Sequence, residues 1–152
     1  MVNTTLCYIE KDGKYLMMHR IKKKNDINKD KCVGVGGKIM DGESILQSVI
    51  REIKEETGVT PLNLEYRGII TFVSDLYGTE YMHLFTARGY LGEIDYDCDE
   101  GELVWIDKEK IYDLPIWEGD KIFFRLLEES KRFFKLELIY QGDKLVSSKV
   151  EK

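Results

Sequence analysis

The stretch from Gly37 to Val59, GKIMDGESILQSVIREIKEETGV, leaves this chain little freedom in what it can fold into. Within 44–57, the apolar residues Ile45, Leu46, Val49, Ile50 and Ile53 recur at helical spacings, which predicts an amphipathic helix with one apolar stripe. Asp41, Gly42, Glu43 and Ser44 form a polar turn with N-cap candidates before it, and Gly58 stands where a helix needs a left-handed C′ residue. Glu52, Glu55 and Glu56 share the face beside the stripe, because residues three and four apart are neighbours on a helix. Like charges so placed repel by roughly a few tenths of a kcal/mol per pair. A helix built for stability alone would interleave lysines there. A divalent cation turns the repulsion into attraction, and clustered carboxylate oxygens are the ligands that Mg²⁺ or Mn²⁺ prefers.

Gly34, Gly36 and Gly37 precede this helix, and such a run lets backbone approach a ligand closely with N–H groups facing anions. Two phosphate-binding alternatives fail. A P-loop needs Ser or Thr after Gly37-Lys38, where Ile39 stands, and a dinucleotide fingerprint needs glycine at that same position. A second acidic cluster, 95–102 (DYDCDEGE), resembles a calcium loop only superficially, because its glycine is one place late and Ile106 occupies the twelfth position. It is either an acidic surface loop or the source of one more ligand, Glu100 or Glu102, for the helix carboxylates.

At 152 residues the chain is expected to form one domain. Its net charge of −5 argues against a nucleic-acid polymer as partner, although not against a small nucleotide that brings its own cations. Cys7, Cys32 and Cys98 are odd in number and scattered, which suggests reduced thiols and a cytoplasmic location. No N-terminal apolar run is long enough for a signal peptide or a membrane span. Thr4–Glu10 and Lys14–His19 read as a hairpin about Asp12-Gly13. A basic loop follows, either plain solvated surface or a place from which Arg20 or Lys23 reaches a polyphosphate. Leu64–Ser74 and Glu80–Tyr90 read as antiparallel partners, Leu103–Ile106 as a short buried strand, Asp120–Ser130 as an amphipathic helix, and the segments on either side of Gly142 as a closing hairpin. His19 and His83 are isolated and read as strand side chains. Phe72, Tyr81, Met82 and Trp117 are either core or the lining of a pocket for a planar base.

The spacing G-x5-E-x7-R-E-U-x-E-E-x-G-U, with U apolar, is filled at every fixed position by Gly37, Glu43, Arg51, Glu52, Ile53, Glu55, Glu56, Gly58 and Val59. This resembles the Nudix box, the signature of hydrolases that cut nucleoside diphosphates linked to another moiety. The likeness runs from about Thr4 to Val150 and is strongest to the MutT-like branch, which clears oxidised purine nucleotides such as 8-oxo-dGTP. It is carried by GVGGK, Gly68 with Phe72, Trp105 and the Leu114–Asp120 stretch. The resemblance implies an α/β (α+β) fold, an α/β/α sandwich with a mixed central sheet. It further implies a Mg²⁺-dependent diphosphatase (with Mn²⁺ as an alternative) that releases a nucleoside monophosphate and pyrophosphate. In that family frame Glu52, Glu55, Glu56 and Glu100, together with Gly37, correspond to metal-binding positions. Glu52 or Glu100 helps activate water, and Arg51, partnered by Glu43, orients a box glutamate. Lys38, with Gly37, sits where the family turn binds metal or phosphate, beside the loop from which Arg20 or Lys23 reaches a polyphosphate on the functional reading, and Phe72, Trp117 and Asp120 correspond to base-pocket positions. Two departures bear on the base: Val33 stands where sanitising relatives often carry an asparagine, and Gly119 where a second acid lies beside Asp120. The open alternatives are a different nucleotide substrate (ordinary NTPs, a nucleotide sugar, a dinucleoside polyphosphate) or a non-catalytic nucleotide-binding module. The chain could work as a monomer or a homodimer.

Overall fold

The structure is a computed structural model that describes residues 2–22, 24 and 26–151. In chain order the elements are β1 (Val2–Lys11), β2 (Lys14–His19), β3 (Cys32–Val33), β4 (Val35–Lys38), α1 (Ile45–Thr57), β5 (Thr60–Pro61), β6 (Leu64–Ser74), β7 (Gly78–Arg88), β8 (Tyr90–Leu91), β9 (Asp97–Cys98) and β10 (Gly101–Asp107). A 3₁₀ turn (Lys108–Asp113), α2 (Glu118–Glu129), β11 (Phe134–Gln141) and β12 (Lys144–Glu151) complete the chain. The main sheet runs β12-β11-β6-β7-β1-β2-β10-β9, with β3 on β2 and β4 on β1. It is mixed, because β1 lies parallel to β7 and β11 parallel to β6, while the other pairs are antiparallel.

Side chains alternate across the sheet with the strand period of two. Cys7 and Ile9 of β1 point toward α1, into a core with Val49, Ile53, Phe85 and Leu103. Tyr8, between them in sequence, points to the opposite core, where Phe123, Phe124 and Leu127 of α2 pack on Ile70, Leu136 and Leu138. Helix, sheet and helix therefore form three layers, the sandwich expected from the sequence.

One feature of the sheet makes the site. β1 pairs with β2 only at the hairpin end, Glu10 opposite Tyr15. Farther along, β1 turns to β4, with Thr4 opposite Lys38 and Cys7 opposite Val35, while β2 takes up β3. The sheet splits there, and the glycine run crosses from one branch to the other. Gly36 makes this crossing possible, since a Cβ on it would lie 1.9 Å from the Thr5 carbonyl oxygen.

Candidate active site

Ser44 caps α1. Its side chain accepts from the Gln47 N–H and the Gln47 side chain accepts from the Ser44 N–H, a complete capping box. Gly58 closes the helix at φ 83° with its N–H on the Lys54 carbonyl. The helix is turned about its axis more than the apolar stripe suggests. Val49, Ile53, Ser48 and Thr57 are buried, whereas Leu46 is 53% and Ile50 39% exposed. This rotation swings Glu52 and Glu56 in against the glycine strand, at the expense of one edge of the stripe.

Arg51 holds the carboxylates in place. Its Nε and Nη2 grip both oxygens of Glu43 at 2.6 and 3.0 Å, Nη1 reaches Glu52 at 2.8 Å and Glu55 at 3.1 Å, and Nη2 also donates to the Lys38 carbonyl. Only a planar guanidinium can serve so many acceptors at once. Its hydrogen bonds hold the Glu43 carboxyl down at about 2. Glu52 is pushed the other way, mainly by burial and against the pull of Arg51. Glu56 accepts from the Gly36 N–H at 2.9 Å, yet burial, with Glu100 and Glu52 adding to it, pushes its carboxyl up to about 8. Gly37 gives Glu52 its room, because a Cβ there would lie 2.7 Å from the carboxyl group.

These acids form one end of a cavity of about 400 Å³. Glu52, Glu56, Glu100, Gly37, Lys38 and Arg20 line that end, and Phe72, Trp117 and Asp120 line the other. Thus residues up to about 80 positions apart in sequence, Arg20 and Glu100, meet at one wall, joined by a 3.0 Å ion pair. Arg20 also pairs with Asp26 at 2.7 Å. Arg51 and Glu55 stand behind the wall, Glu55 with its side chain 59% exposed. Lys23 lies outside the described residues. Tyr81 is not part of the lining, whereas Met82 is.

At the far end Trp117 is nearly enclosed, edge-on to Phe72 and Tyr140, with Lys31 Nζ 4.5 Å above its ring. Asp120 lies in the first turn of α2, where the helix dipole favours a charged carboxylate. Burial wins, and its carboxyl is pushed up to about 8 although Lys31 pulls the other way. An acid in place of Gly119 would have to push its neighbours aside, because a Cβ would sit 2.4 Å from Leu138 Cδ1 and 2.8 Å from the Tyr140 hydroxyl. The sequence pattern did not single out Asp26, Asn28, Thr4, Thr5 or Glu80, all of which line the cavity. Of the two histidines, His83 is a buried strand residue bonded to Tyr66 and Asn3, and His19 faces the Asp30 carbonyl.

The NUDIX domain family matches residues 2–127. The chain belongs to the Nudix family. An uncharacterized Nudix hydrolase, YvcI of Bacillus subtilis, is 35% identical over 120 residues, covering 76% of this chain and 72% of that protein. An oxidized purine nucleoside triphosphate hydrolase of Danio rerio is 34% identical over 150 residues, covering 97% and 92%. Among solved structures, the MutT protein of Bacillus halodurans superposes with a TM-score of 0.87 at 31% identity, over 99% of this chain and 98% of that one. The Nudix box of this chain is the α1 wall just described.

The donor set suits a hard divalent cation. Glu52, Glu56 and Glu100 offer carboxylate oxygens only, and burial, with the carboxylates acting on one another, pushes Glu52 and Glu56 up, a cost that a bound cation would relieve. Among the described residues no three such groups are already drawn to ligand distance.

Proposed function

We propose that this Nudix hydrolase is a nucleoside triphosphate pyrophosphohydrolase acting on purine substrates, oxidised guanine nucleotides such as 8-oxo-dGTP among them. The observation that carries the reading is the polarity of the cavity. Its acidic, glycine-lined end suits phosphates accompanied by Mg²⁺ or Mn²⁺, and its aromatic end, with the buried carboxyl of Asp120, suits a purine. The relatives named for oxidized purine triphosphates support it.

In this reading Glu52, Glu56 and Glu100 hold the cation, with Gly37 and Lys38 beside them. When bound, the cation neutralises phosphate charge and makes the phosphorus and the water more reactive. The chain does the rest. Arg51 fixes Glu52 and Glu55 through its fork. Glu52 accepts the proton of the attacking water as the water oxygen joins phosphorus, and the bridging oxygen departs so that the monophosphate and pyrophosphate separate. Arg20 and Lys38 face the phosphates, and Phe72, Trp117 and Asp120 flank the base. One domain with reduced cysteines, working in the cytoplasm, fits this role.

The test is a panel of 8-oxo-dGTP, dGTP, dATP, dUTP, ADP-ribose and a dinucleoside polyphosphate with Mg²⁺, scored by kcat/KM and by product. Preference for 8-oxo-dGTP by two orders of magnitude with pyrophosphate released is the expected result. A flat profile would keep the hydrolysis and remove the oxidised base. Val33, which offers the base no hydrogen bond, favours that second reading.

A further inference from the structure

The base end of the cavity contains a polar group that the carboxylate chemistry leaves unused. Asn28, in the loop between β2 and β3, lines the cavity and is held on two sides. Trp117 Nε1 lies 2.8 Å from its Oδ1. An indole N–H can only donate, so the atom it faces must be the amide oxygen, and the other end of the amide must be the NH₂. The main-chain N–H of Asn28 donates to Asp26 Oδ1 at 3.0 Å, and Asp26, its side chain 5% exposed, is paired with Arg20. Arg20 in turn reaches Glu100. The backbone at Asn28 is therefore tied to the acidic end, and the indole sets the angle of its side-chain amide. Among the described residues its Nδ2 meets no acceptor.

One further polar group points to a polar-edged occupant. The hydroxyl of Thr5, a residue 2% exposed, lines the same cavity and has no hydrogen-bond partner among the described residues. Buried polar groups left so are costly until something pairs with them. Asp120 does not by itself choose between purines. A carboxyl matches a guanine-type edge when ionised and an adenine-type edge when protonated, whereas an NH₂ group can only donate.

We propose that Asn28 is a specificity-determining residue, whose Nδ2 donates to a carbonyl oxygen on the base edge and selects 6-oxo purines over 6-amino purines. This rests on the nucleotide reading of the cavity. It assigns to the loop the base contact that Val33, on β3, cannot make.

The experiment measures Kd for dGMP, dIMP and dAMP, by titration calorimetry, in the wild type, Asn28→Asp and Asn28→Ala. Binding is read without turnover, so the result does not depend on the metal chemistry. The aspartate keeps an oxygen for Trp117 Nε1 but turns the free donor into an acceptor. Wild type should bind dGMP and dIMP at least about tenfold more tightly than dAMP, since a buried polar group rejects the edge it cannot pair. Asn28→Asp should remove or invert that ratio with circular dichroism and tryptophan emission unchanged, and Asn28→Ala should bring it near one. An unchanged ratio, or an equal loss for all three nucleotides, overturns the assignment, the latter meaning that Asn28 only steadies Trp117. Triphosphate hydrolysis with an unchanged ratio would leave the proposed activity standing and sink Asn28 alone. No binding of any nucleotide by the wild type would overturn both.

Discussion

At the scale of single residues, the buried Asp120 makes a pH prediction. Its carboxyl is raised from the ordinary 3.8 to about 8 by burial. Between those values the folded state keeps a proton that the unfolded state has lost. Stability is therefore fullest below about 4, falls as the pH rises through the window, and levels off above about 8. Asp120→Asn removes this term, so the gap in Tm between pH 5 and pH 8 should be smaller in the variant than in the wild type. An equal gap would show that Asp120 is ionised in the fold. Gly37 gives a second prediction. Gly37→Ala puts a Cβ against the Glu52 carboxyl at a position that imposes no left-handed backbone. If Glu52 takes the water proton as proposed, turnover should fall at least about tenfold, as a small misplacement of such a group would cause, with Tm nearly unchanged. Glu52 and Glu56 were legible in the sequence because helical spacing alone puts them on one face. Asn28 and Asp26 were not, since a loop has no period, and the indole 89 positions away that fixes the amide is invisible in the local pattern.

At the scale of elements, α1 was legible in its limits and its caps, and misread in its rotation. Hydrophobic spacing places Leu46 and Ile50 on the buried stripe, but the docking face is shared with the carboxylates and the glycine strand, and those two residues come out into solvent. Ser44→Ala removes the side-chain half of the capping box and should cost about 1 kcal/mol in urea unfolding. The strands were legible through their β-branched and aromatic runs, yet their partners were not all predicted. The parallel pairing of β1 with β7 joins residues such as Thr5 and His83, which no hairpin signal links. Arg67 was missed altogether. It is 5% exposed and donates to the carbonyls of Leu127 and Ser130, at the C-terminal end of α2, where a cation satisfies orphan acceptors and the helix dipole together. Arg67→Ala should destabilise by about 2 kcal/mol or more, because it leaves those carbonyls without their partner.

At the scale of the whole molecule, the closing hairpin determines how the base end is built. Tyr140 lies near the end of β11. The structure buries it, with 1% exposed, and its hydroxyl accepts from the Gly119 N–H at 2.7 Å. That N–H is one of the orphan donors of the first turn of α2, next to Asp120 and two residues after Trp117. β11 reaches this place only because it pairs in parallel with β6, Tyr140 opposite Ser74 and Leu138 opposite Phe72. The far end of the sheet thus backs the base end through Phe72 and Trp117, while α1 and the glycine strand set the acidic wall from the other layer. The two halves of the site should therefore separate under mutation. Tyr140→Phe keeps the ring and its packing on Phe72 and Trp117 but strands the Gly119 N–H, which loosens the start of α2. The nucleotide should bind more weakly, so KM rises about tenfold while kcat changes little, since the carboxylates and Arg51 are untouched. Titrating the variant with substrate in steady state separates the two parameters. A fall in kcat with KM unchanged would mean that the hairpin acts on the acidic wall, and that the two ends of the cavity are not built independently.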